Sequence, residues 1–160
     1  VPTAEERGRW EAARPTPLVE EEASVEEIAR AAGPDASASA GPALDFEYFR
    51  SKVQPIFLAK RPGHARCIRC HENNPLRLVA LEGGETMWNE AQSRQNFAAW
   101  QRVVVPGDPE ASRLLMHPLA REAGGDHFHA GGKHWKSKSD PEWQILAGWV
   151  RGEKATGTSR

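Results

Sequence analysis

Cys67-Ile68-Arg69-Cys70-His71 constrains this chain more than any other stretch of its 160 residues. The chain has 2 cysteines and both lie here, so a disulfide framework spread through the fold is excluded and the pair has one local task. On a helical turn, two sulfurs three positions apart lie on one side, and the next residue sets an imidazole beside them. Five residues in this pattern arise by chance on the order of once in a thousand chains of this length, which argues against coincidence.

The spacing is that of covalent haem attachment, in which Cys67 and Cys70 each add to a vinyl group of one haem c and His71 ligates its iron. Other uses of the same residues are weaker. A redox-active pair opens a helix in a βαβ context, which this chain lacks. A zinc site drawing on Cys67, Cys70, His127 and His129 is the stronger rival, although its ligand pairs lie further apart than small zinc modules place them. A plain disulfide ranks below zinc.

With 39% hydrophobic and 27% charged residues, the chain has the composition of an ordinary globular domain. A formal charge of −1, with both signs interspersed, gives no reason to expect a nucleic-acid partner. No apolar run is long enough to span a bilayer. A start at Val1 suits a cleaved export signal and hence a periplasmic or other extracytoplasmic location. Residues 1–43, rich in Pro, Ala, Glu and Ser, read as an extended arm that docks on a partner, with one short helix after Ser24. Residues 44–153 form the domain and 154–160 a tail.

Within the domain the pattern is all-α with long loops. A helix from Leu44 to Ala59 opens at Asp45, presents Phe46, Phe49, Val53, Ile56 and Phe57, and is kinked or restarted by Pro55. A second runs from Met87 to Val103, with Trp88, Ala91, Phe97 and Trp100 facing a core. Asp108 and Pro109 are suited to cap a third that carries Leu114, Leu115 and Leu119 and is limited by Pro118. Asp140 and Pro141 open a last helix with Trp143, Leu146, Trp149 and Val150 on its buried side. Val103–Val105 is the one ambiguous strand. The connection from Ala120 to Ser139 holds four glycines and three histidines, and a loop of that length inside a domain is more often functional than idle.

Phe46 to His71 resembles the first helix and haem turn of bacterial class I cytochrome c domains. Val105-Pro106-Gly107-Asp108-Pro109 with Ser112-Arg113-Leu114-Leu115 is similar to their V-x-P-G-x-P-x-x-S-x-L segment, and Trp149-Val150-Arg151-Gly152 to their closing W-[IV]-x-x-G. The resemblance covers roughly Leu44 to Glu153. It implies a cytochrome c-like helical domain around one haem, with the first and last helices crossing so that Phe49 and Val53 meet Leu146 and Trp149.

The resemblance also implies a distal ligand before the last helix, where many relatives have a methionine and this chain has none. Phe128-His129-Ala130-Gly131-Gly132-Lys133 is similar to an H-x-G-G loop of some environmental cytochrome domains in which histidine replaces that methionine. His129 is therefore the expected second iron ligand, followed by Met116, His127 and His134. Met116 lies inside a helix and reads better as core, and His117 reads as a helix-end residue beside Pro118. Two glycines after His129 suit close approach of backbone to the porphyrin face. Arg69, Arg77, Lys133, Trp100 and Trp135 are candidates to meet the propionates.

The function expected is single-electron transfer between redox proteins, as a bound subunit of a larger membrane-associated or extracytoplasmic complex and not as an enzyme. A haem sensor or peroxidase-like protein with an open distal site is the second class. A zinc-stabilised Cys2His2 structural module is the third.

Overall fold

The computed structural model describes residues 41–156. The short helix after Ser24 and nearly all of the expected arm lie outside the described residues, as do 157–160.

The described chain is helical, and no strand forms among these residues. Its α-helices are α1 (Phe46–Tyr48), α2 (Gln54–Leu58), α3 (Cys67–His71), α4 (Glu90–Trp100), α5 (Arg113–Met116) and α6 (Pro141–Val150). Val103–Val105 is no strand: a 3-10 turn, Gln101–Val103, follows α4, and Val105 makes an isolated bridge to Asp108. None of the described helices is long and apolar enough to cross a membrane.

Asp45 caps α1, its Oδ1 accepting from Tyr48 N at 2.7 Å. Between α1 and α2 the backbone widens into a π-helix, Phe49–Val53. Pro55 has no N–H to donate, and its ring crowds the preceding turn of a regular α-helix. The extra residue per turn just before it relieves that conflict, so the chain passes Pro55 without a break.

The helix expected from Met87 begins later, at Glu90. Asn89 is its N-cap, with Asn89 Oδ1 accepting from Gln92 N and Gln92 Oε1 from Asn89 N, at 2.9 and 2.8 Å. This reciprocal capping box fixes the start. Met87 and Ala91 are exposed, contrary to the expectation that Ala91 faces the core. Asp108 and Pro109 do not open α5 either. Asp108 Oδ1 instead accepts from Glu110 N and Ala111 N, both at 3.0 Å, closing a turn, and Ser112 precedes the helix. The fully buried Ser112 hydroxyl accepts from Val105 N at 2.9 Å and donates to Asp108 O at 2.7 Å, so the Val105–Ser112 segment folds onto itself.

Asp140 and Pro141 open α6 as expected, with Asp140 Oδ1 accepting from Glu142 N at 3.0 Å. Six of its ten residues are buried, on more than one face, which makes it the central helix of the domain. Phe49 and Trp149 meet with ring centroids 5.0 Å apart. Trp149 Nε1 donates to Asp45 O at 3.0 Å, and Tyr48 OH to Ile145 O at 3.1 Å. A Cβ on Gly148 would stand 2.7 Å from Tyr48 OH, so a small residue is what lets these two elements approach.

Candidate functional site

A cleft opens on one side of α3, with about 60 Å³ of enclosed space. Cys67, Cys70 and His71 line one part of it, and His117, His129 and His134 another. Phe57, Trp100, Leu114 and Trp135 supply apolar walls. Cys67 and Cys70 are free thiols, the first half-buried and the second exposed.

One hydrogen bond decides the chemistry of His71. Its Nδ1 lies 2.9 Å from Leu76 O, and a carbonyl only accepts, so Nδ1 carries the proton and Nε2 keeps the lone pair that a metal needs. Burial holds the His71 pKa below the ordinary histidine value, an effect that the Leu76 hydrogen bond partly opposes. The ring rests edge-on against Trp100, with centroids 4.9 Å apart.

His129 is held the same way, its Nδ1 2.6 Å from Gly132 O. Burial lowers its pKa too. The loop carrying it is closed at its base, where Ala120 N donates to Trp135 O and His134 N to Pro118 O, both at 2.8 Å. Lys133 Nζ donates to His117 O at 2.9 Å and also reaches Asp126 O. The long connection is thus a tied loop, not a slack one. Gly131 and Gly132 make room for imidazoles: a Cβ on Gly131 would fall 3.2 Å from His129 Cε1, and one on Gly132, where φ is +81°, 3.0 Å from His64 Nδ1.

His134 lies beside His129, with ring centroids 5.5 Å apart. Its buried Nδ1 has no hydrogen-bond partner among the described residues. Burial, reinforced by Arg61 and the neighbouring imidazoles, pushes its pKa down to about 4.

His117, expected at a helix end, does follow α5 but also lines the cleft. Its Nδ1 lies 2.9 Å from Asp126 Oδ2, the carboxylate–imidazole pairing that orients metal ligands. The signal available in the sequence was Asp126 itself, nine positions away and detectable only through the fold. Met116 and His127 do not line the cleft; Met116 packs against the core and His127 is exposed.

Of the residues expected to meet the propionates, Trp100 and Trp135 line the cleft, whereas Arg69, Arg77 and Lys133 are not among its lining residues. Trp100 Nε1 donates to Arg77 O and Trp135 Nε1 to Glu142 Oε2, both at 3.1 Å, so both indoles are engaged within the protein. Lys133 is engaged with backbone carbonyls, and Arg69 is exposed beside Glu72. Arg66 and Arg113 are the guanidinium side chains that line the cleft.

Beside Cys67, Arg61 forms an ion pair with Glu142, tying the approach to α3 to the start of α6. Burial pushes the Cys67 thiol up, and the Arg61 charge partly offsets it.

No protein-family model, curated protein or solved structure matches this chain.

Proposed function

We propose that this chain is an extracytoplasmic monohaem c-type cytochrome that passes single electrons between redox proteins. The observation that carries the reading is the meeting of Cys67, Cys70 and a tautomerically fixed His71 with His129 in one apolar cleft. Covalent haem needs two thiols and a neutral imidazole from one helical turn, and α3 provides them. The donor set, two thiols with several imidazoles lining one cleft, fits the group. When bound, the haem supplies a ferrous/ferric couple whose potential depends on its axial ligands and burial.

In this reading Cys67 and Cys70 would bind the macrocycle, and His71 and His129 would ligate its iron. Apolar residues around them would exclude water. Arg66 and Arg113 would balance the propionate charge. The cytochrome c-like fold and the partnership with other redox subunits belong to the same proposal.

Two features support haem over the rivals. A redox-active cysteine has a lowered pKa, whereas burial moves that of Cys67 upward. His127 is exposed and lies outside the cleft that Cys67, Cys70 and His129 line, which disfavours the Cys2His2 zinc set. A second reading of the distal ligand rests on His117, because Asp126 orients it as Gly132 orients His129.

Denaturing mass spectrometry of the chain matured in an exporting, haem-attaching host tests the proposal. The mass of one haem retained on the chain is the expected result, together with a low-spin spectrum lacking a methionine-to-iron band. A colourless chain of apoprotein mass overturns it, and rapid carbon monoxide binding by the reduced protein would transfer it to the sensor or peroxidase class.

A further inference from the structure

The residues that hold the acceptor of His71 in place form a device of their own. Leu76 O, which accepts from His71 Nδ1, begins a segment in which four of the next backbone groups are taken. Arg77 O accepts from Trp100 Nε1 at 3.1 Å, and Leu78 N donates to His71 O at 2.9 Å. Val79 N donates to Asn96 Oδ1 at 2.8 Å, and Val79 O accepts from Trp88 Nε1 at 2.6 Å.

Asn96 is itself locked. Its Nδ2 donates to Gln54 Oε1 at 3.1 Å, and Gln54 Nε2 donates to Ser93 Oγ at 2.9 Å. Gln54, Ser93 and Asn96 are 4%, 0% and 1% exposed, so three neutral polar side chains occupy core volume. Apolar residues of like size would fill it at no polar desolvation cost. Ser93, Asn96 and Trp100 stand at i, i+3 and i+7 on one face of α4. That face is used to grip the Arg77–Val79 backbone.

A ligating imidazole gains electron density when its other N–H donates to a well-placed acceptor, and the oxidised metal is stabilised most by that density. We propose that Asn96, fixed by Gln54 and Ser93 and assisted by Trp88, is a positioning residue: through Val79 it sets the Leu76 carbonyl against His71 and so tunes the potential of the bound haem. This rests on the haem reading above.

The test compares the holoprotein with Asn96→Leu, which removes the acceptor and keeps a γ-branched side chain, and with Trp88→Phe, which keeps a ring but removes the donor. Asn89→Ala, which weakens the cap of α4 without touching the gripped segment, is the control. Loosening the carbonyl should favour the ferrous state about threefold in the redox equilibrium of Asn96→Leu, or about 30 mV upward. Trp88→Phe should move the same way by less, and the paramagnetically shifted ring N–H resonance of His71 should move in both. Asn89→Ala should lose stability with its potential unchanged. If Asn96→Leu does not fold, Trp88→Phe and the His71 resonance decide. Potentials that track only stability, equal in the control and the two variants, overturn the proposal while leaving the haem reading intact. A wild-type chain without covalent haem would remove both.

Discussion

At His71 and His129 alike, a backbone carbonyl accepts a hydrogen bond from Nδ1–H and leaves the Nε2 lone pair free, whereas His134 has no such partner for its Nδ1 among the described residues. An imidazole fixed in this way loses little freedom on ligating a metal, so His129 is favoured over its neighbour. On the proposed haem reading, His129→Ala should turn a low-spin ferrous protein into one that binds carbon monoxide rapidly, while Met116→Leu and His127→Ala leave the absorption spectrum unchanged. His117→Ala discriminates the remaining rival: a retained low-spin spectrum assigns the ligand to His129, and its loss assigns it to the Asp126-bound imidazole.

For α4 the boundary is set by Asn89 and Gln92, and the cap alone accounts for an expected loss of about 1 kcal/mol in Asn89→Ala, read as a lowered thermal midpoint with an unaltered visible spectrum. That capping box was present in the sequence but followed directly on Met87 and Trp88, two apolar residues that extended the apparent helix. Trp88 is buried without being helical, and periodicity alone does not separate those cases. Residues with local rules were legible: Asp45, Asp140 and Pro141 cap where their chemistry says they should, and Cys67 to His71 form one turn. Residues that act through distant partners were not. His117 needed Asp126, Trp100 and Trp135 needed Arg77 and Glu142, and the tie of Arg61 to Glu142 joins positions no local pattern connects.

Across the whole domain that last tie is the chief ion pair near the cleft. Arg61 keeps 12% and Glu142 30% of its side-chain surface, so Glu142→Ala leaves a mostly covered guanidinium and an indole N–H unmatched. A loss of about 2 kcal/mol is expected, below the range for fully buried pairs because Glu142 retains solvent, and urea unfolding measures it. Acid acts on the haem-free chain through His71, His129 and His134, all with pKa values below the ordinary histidine value near 6.5. Between that value and the value of about 4 for His134, the unfolded chain binds protons that the folded one does not. Stability is therefore fullest above pH ~6.5 and declines as pH falls toward ~4. Urea midpoints should drop along that interval, and His134→Phe should flatten the slope.

Glu142 stands at the opening of the final helix, yet it receives both Arg61, from the approach to the thiols, and Trp135, from the base of the histidine loop. A chain made from its N-terminus thus exposes its two sulfurs long before the wall opposite them is anchored. On the proposed haem reading, whatever delivers the group would meet an open half-shell, and enclosure would wait on the last segment to arrive.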